Sequence, residues 1–173
     1  MWINVRFFDG RSNVLQELGR YGEEGLPGHP TLLDPESTRV YECKPGLSPE
    51  QARTHNRSPG PSFHFILNDF IAKDNRIPPR GYRKSAFAEH LAAPIGAEYA
   101  DGQYWDVAEF DLPPRTERVE VRLMYQSVSW EYLKFLVEEN HTDKWGKDLY
   151  AAWEQTGKCP PEEIAHVAKN MRR

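Results

Sequence analysis

The sequence predicts an α+β domain that is mainly β: an antiparallel β-sandwich, immunoglobulin-like or jelly-roll-like, with C-terminal helices packed at one edge. Three observations predict it. Apolar and polar residues alternate with period 2 near the start of the chain and again just before residue 127. The chain holds 14 prolines and 12 glycines, many of them clustered between those two stretches as loop punctuation. After Ser127 the apolar spacing lengthens to three and four residues, the helical period. Residues 1–127 are therefore predicted as the sandwich, and 128–173 as a helical extension docked on the same domain.

The elements follow in order. In Met1–Phe8, Ile3, Val5 and Phe7 alternate with Asn4 and Arg6, which predicts a half-buried strand. Asp9-Gly10 supplies a turn and Val14–Leu18 the returning arm. A domain seldom begins inside a strand, so the chain reads as a piece of a longer protein or Met1 as an internal start. Residues 19–37, with Gly19, Gly22, Gly25, Pro27, Gly28, Pro30 and Pro35, are predicted as loop. Thr38–Cys43 is predicted as a short strand closed by Lys44-Pro45-Gly46, and 47–61 as loop. Ser62–Ile71 carries apolar residues on both faces, which predicts a central strand. Arg76-Ile77-Pro78-Pro79-Arg80-Gly81 excludes a regular element. Ser85–Ala92 fits a short helix and aromatic Gln103–Asp111 a strand. The clearest strand has Val119, Val121, Leu123 and Tyr125 on one face and Arg118, Glu120, Arg122 and Met124 on the other.

Three helices are predicted beyond it. The first buries Trp130, Leu133, Leu136 and Val137, with Ser129 as N-cap. The second starts at about Lys144, buries Trp145, Leu149, Tyr150 and Trp153, and stops at Gly157. The third opens on Pro160-Pro161-Glu162-Glu163 and ends in Lys169, Arg172 and Arg173, matching acids and bases to the helix dipole.

Composition narrows the function classes. Net charge is −4 with scattered basic residues, which argues against a nucleic-acid partner. Mean hydropathy is −0.74, and no apolar run approaches the roughly 18–20 residues of a membrane span. No basic-then-apolar leader stands at Met1. The 2 cysteines, Cys43 and Cys159, make neither a disulfide framework nor a four-cysteine zinc site; whether they pair is open.

Few residue patterns carry chemistry. The 6 histidines include no His-Glu-x-x-His and no His-x-His; His29 and His55, both in predicted loops, are the remaining metal-ligand candidates, with surface histidine the ordinary alternative. No Gly-x-Ser-x-Gly, Ser-x-x-Lys or phosphate-cradling loop occurs, so no catalytic residue is predicted. Cys159 before a predicted helix start is a candidate reactive thiol, against the ordinary free or paired cysteine. Asn68-Asp69, Asp74-Asn75, Asp101 and Asp106 offer loop oxygens of the kind a structural calcium takes, without EF-hand spacing. Aromatic residues crowd the irregular middle of the chain. There Arg80, Tyr82, Tyr104, Trp105 and Asp106 are the candidate ligand-binding residues, an aromatic platform rimmed by Arg and Asp that suits a sugar or a protein partner; core packing is the competing reading for these rings and for Tyr99.

Several segments, taken in order, resemble a known family. They are Met1-Trp2-Ile3-Asn4-Val5, Val40-Tyr41-Glu42-Cys43-Lys44-Pro45-Gly46, Asn75-Arg76-Ile77-Pro78-Pro79-Arg80-Gly81-Tyr82, Asp101-Gly102-Gln103-Tyr104-Trp105-Asp106, Val119–Gln126 and Gly157-Lys158-Cys159-Pro160-Pro161. Together they resemble the haem-free C-terminal β-rich region of bacterial multihaem c-type cytochromes, over nearly the whole chain. The resemblance implies a periplasmic or cell-surface setting and a non-catalytic structural or docking role beside a multihaem cytochrome or other redox protein. It assigns no catalytic residue. Covalent haem needs Cys-x-x-Cys-His, and neither Cys43 nor Cys159 stands in that context, so no cofactor is expected in this chain. A stand-alone carbohydrate-binding-like β-sandwich module is the alternative.

Overall fold

The structure is a computed structural model that describes residues 1–23 and 27–171. In chain order its elements are β1 (Trp2–Phe8), β2 (Val14–Leu18), β3 (Tyr21–Gly22), β4 (Thr31–Leu32), a 3-10 turn at Pro35–Ser37, β5 (Cys43–Leu47), α1 (Pro49–Thr54), β6 (Gly60–Pro61), β7 (Phe70–Asp74), α2 (Lys84–Glu89), β8 (Arg118–Tyr125), α3 (Trp130–Glu139), α4 (Trp145–Gln155) and β9 (Glu162–Asn170). Among the described residues all strand pairings are antiparallel, so the α+β class holds. The chain packs as two compact units, Met1–Val40 with Glu109–Arg173, and Tyr41–Ala108.

The first unit is built on a four-stranded sheet of order β2-β1-β8-β9. β1 is a central strand, and both its faces are covered. Val5 and Phe7 are fully buried on one face, while Trp2, Asn4 and Phe8 are buried on the other. Buried Asn4 is satisfied: its amide donates to Glu17 Oε1 (2.8 Å) and to the carbonyls of Leu18 (3.1 Å) and Gly19 (3.2 Å). Gly19 sits at φ +64, and a Cβ there would fall 2.4 Å from the Ile3 carbonyl, so the turn after β2 requires glycine. Helix α3 is capped as expected, Ser129 Oγ accepting the Tyr132 N–H (3.3 Å), and Leu133 is fully buried. α4 approaches α3 closely because Gly146 lies where a Cβ would meet the Leu136 carbonyl at 2.4 Å.

The second unit holds a three-stranded sheet of order β6-β5-β7 with the short helices α1 and α2. Its core is Tyr41, Leu47, Ala52, Tyr82 and Tyr99.

Several expectations are corrected. The predicted third helix is strand β9: Pro160 and Pro161 end the preceding turn, and 162–170 pairs along β8 from Tyr125 to Arg118. Cross-strand partners there outweigh a helical charge pattern. Gly25 of the predicted loop, and Arg172 and Arg173 of that predicted helix, lie outside the described residues. The strand predicted at 38–43 starts later, as β5, and runs through Lys44-Pro45-Gly46; the register shift at Lys44/Pro45 lets proline sit inside a sheet. Ser62–Ile71 is not one strand. Residues 63–68 form a tight turn closed by Asn68 Nδ2 on the Ser62 carbonyl (2.8 Å), and only Phe70 onward joins β7. Local side-chain hydrogen bonds outcompete the alternating pattern there. Residues 103–111 are irregular, not a strand. In α4, Trp153 is buried, but Trp145 is 67% exposed and Leu149 is exposed as well.

Candidate functional site

The candidate residues Arg80, Tyr82, Tyr104, Trp105 and Asp106 all fall in the second unit, and the structure divides them into support and surface. The support begins at Asn75, buried at the end of β7. Its Oδ1 accepts the Glu42 N–H (2.9 Å), and its carbonyl accepts the hydroxyl of buried Tyr99 (2.9 Å). Pro78 is buried, and the turn at Pro79–Tyr82 closes through Tyr82 N–H on the Pro79 carbonyl (3.2 Å). Tyr82 is core, 3% exposed, with its ring edge-on to Phe87 at 4.7 Å between centroids.

The segment 101–106 is pinned against this support. Gly102 N–H donates to the Tyr82 carbonyl (2.7 Å), and Asp101 Oδ1 accepts the Lys84 N–H at the start of α2 (2.7 Å). Gln103 bridges the bend: its Oε1 accepts the Ala100 N–H (2.9 Å) and its Nε2 donates to the Trp105 carbonyl (2.8 Å). Asp106 is fastened by the Tyr41 hydroxyl (3.0 Å) and the Val107 N–H (2.8 Å).

On this frame stand three outward side chains. Tyr104 is 44% exposed and Trp105 53% exposed, in an edge-to-face pair at 5.3 Å. The Arg80 guanidinium lies over the Tyr104 ring at 4.8 Å. A cation over an aromatic face both orients the ring and keeps the guanidinium edges available to hydrogen-bond acceptors. The arrangement can grip a flat apolar surface with Trp105 and an acceptor group with Arg80. It contains no nucleophile and no general base aimed at a common point. Gln103 and Tyr41 stand outside the sequence-predicted sites, and Asn75, predicted as a loop oxygen of the kind calcium takes, instead bonds to the Glu42 N–H and the Tyr99 hydroxyl. The Asn and Gln beside Pro and Gly turns are the available signal, since amides in such turns often bond to backbone.

The other candidates are placed as follows. His29 packs against Trp130 with the rings tilted by 36° (4.8 Å between centroids), and His55 is the exposed C-cap of α1. Among the described residues no group of three or more His, Cys, Asp or Glu is placed to hold a metal. Asp69 accepts the Ser48 N–H (2.8 Å), and Asp74 is paired with Arg76 (2.6 Å), which holds its carboxyl below the ordinary value. Both cysteines are free thiols. Burial pushes the Cys43 thiol up, with Asp74 adding to it. Cys159 precedes a strand and not a helix, so the dipole argument for its reactivity falls; its Sγ lies 3.1 Å from Ser127 Oγ. No helix among the described residues is long and apolar enough to cross a membrane.

Two further surface features are present. The turn at 63–68 holds Ile66 98% exposed beside exposed Phe63 and Phe65. In the first unit, a concavity of about 190 Å³ is lined by Trp2, Asn4, Arg6, Glu17, Tyr21 and Arg122 among others. Its charges are matched internally, Arg6 to Glu17 (2.9 Å) and Arg122 to Glu120 (3.0 Å). Comparison of the chain with protein-family models, curated proteins and solved structures gave no match.

Proposed function

We propose that the chain is a non-catalytic docking module that works beside a multihaem c-type cytochrome in the periplasm or at the cell surface, without haem or other cofactor of its own. One observation carries the choice of surface. Two of the segments that bear the resemblance, 75–82 and 101–106, are distant in sequence yet hydrogen-bonded to each other, and they turn Arg80, Tyr104 and Trp105 outward. Arg, Tyr and Trp are the residue types that dominate protein–protein hot spots. The proposal includes a sandwich-type packing for the strand-rich part of the chain. Its test is titration of the purified chain against a purified multihaem cytochrome by calorimetry. Binding is expected, with Trp105→Ala and Arg80→Ala each weakening it about tenfold or more. Covalent haem in the purified chain, or affinity indifferent to both substitutions, overturns the reading.

The exposed rings of Tyr104 and Trp105 favour a second reading, a carbohydrate-binding module, because sugar rings stack on such faces. Quenching of tryptophan fluorescence by members of a glycan panel, lost in Trp105→Ala, selects it over the first.

A further inference from the structure

The last strand of the sheet offers a surface of a different kind. β9 lies at the edge of the order β2-β1-β8-β9, and all 9 of its residues are exposed. Met171 N–H donates to the Glu117 carbonyl (2.8 Å), so in the antiparallel ladder Lys169, Val167 and Ala165 also turn their backbone groups toward β8. The N–H and C=O groups of Asn170, Ala168 and His166 therefore point to the open edge, a template for another strand.

The side chains specify which strand fits. Val167 and Lys169 lie opposite Val121 and Val119, on the face of the sheet that also carries Val5 and Phe7. The bulge at Leu123/Met124 moves Glu162 onto that same face, opposite Tyr125, and sends Glu163 to the other face, where it pairs with Arg122 (3.4 Å). Now place a second β9 antiparallel to the first, with a two-fold axis through His166. Outward-facing His166 then meets its own copy, Ala165 meets Val167, Val167 meets Ala165, and, past the bulge, Glu162 meets Lys169 in both halves. Small residues oppose larger ones and opposite charges oppose each other, twice over by symmetry. A two-fold centred on Val167 would instead set Lys169 against Ala165 and leave Glu162 without its cation.

We infer that β9 is a homodimerisation edge, joining two copies of the chain by antiparallel β9–β9 pairing about His166 into one continuous eight-stranded sheet. Its occupant is the chain itself, chosen by the self-complementary charge pattern, and the inference is independent of the docking surface proposed above.

Sedimentation equilibrium of the full chain over a wide concentration range tests it. A reversible dimer is expected. Ala168→Pro removes an N–H that faces the open edge and not β8, so it is expected to give a monomer with an unchanged circular dichroism spectrum. Lys169→Glu sets acid against Glu162 and is expected to weaken the dimer by roughly tenfold. The double swap Glu162→Lys with Lys169→Glu is expected to restore it, and this pair keeps the test decisive should the proline variant misfold. A monomer at every concentration overturns the inference. So does a dimer indifferent to Lys169→Glu, or one that the double swap fails to recover.

Discussion

In the unit built on β1 and β8, two long strands run in unbroken register from Trp2↔Met124 to Phe8↔Arg118, with Val5 and Phe7 buried beneath them. The unit at 41–108 has no strand longer than 5 residues, and much of its order comes from side chains bonding to backbone: Asn75 to Glu42, Tyr99 to Asn75, Asp101 to Lys84, Gln103 to Ala100 and Trp105. The first relies on apolar area removed from water, which is non-directional and tolerant of detail. The second relies on polar groups whose loss leaves buried partners unsatisfied. The difference explains why the second unit carries the candidate surface. A loop framework held by directional bonds can present Arg80, Tyr104 and Trp105 outward, whereas a ladder alternates its side chains between faces.

The sharpest way to break this contrast is a core truncation. Phe7→Ala is expected to cost about 3–5 kcal/mol in chemical denaturation, as buried Phe-to-Ala changes do. Asn75→Ala is expected to cost about 1–3 kcal/mol by stranding the Glu42 N–H. Hydrogen exchange should place that loss in the amides of 41–108 while those of β1 and β8 keep their protection. Equal loss of protection in both units would erase the distinction between them.

Acid gives a smaller, directional effect. Burial pushes the Glu42 carboxyl up, but its ion pairs with Lys44 and Lys73 (both 2.9 Å) outweigh burial and leave it below the ordinary value of 4.5. Arg76 holds Asp74 below 3.8 against a partial opposing effect of burial. Both carboxyls are depressed in the folded chain, so their stabilisation is complete above the ordinary carboxylate range. It is lost as pH falls through the depressed values. The partners are well solvated, so each pair contributes under about 1 kcal/mol. Trp105 is the only tryptophan between 41 and 108, and in a variant with the other four replaced by Phe its emission should change below about pH 4 before far-ultraviolet ellipticity falls. The smallest effect is expected for Trp145→Ala. At 67% exposure it should shift stability by less than about 0.5 kcal/mol, against several for the buried Trp153.

The legible parts of the fold are those whose signal is local. Ser129 caps α3 because a short hydroxyl before a helical period suffices for it. The irregularity of 76–81 follows from two adjacent prolines and a glycine. Within the candidate surface, the grouping of Arg80 with Tyr104 and Trp105 was legible from composition, but the division of labour was not. Tyr82 and Tyr104 are the same residue type in the same loop-rich stretch, and only their neighbours, Phe87 for one and Arg80 for the other, make one core and the other surface.

By itself the sequence determined the strands β1, β2 and β8, the helices α3 and α4, and the absence of any haem-attachment or nucleophile motif in the chain, because periodicity, capping and motif spacing act over a few residues. Only tertiary structure decided that 162–170 is a strand and not a helix. Its glutamates and lysine suit a helix dipole equally well, and the hydrogen-bond partners that settle the matter belong to β8, some 40 residues earlier. The same non-local pairing leaves one edge of β9 open, and so decides which surface the chain has left to offer.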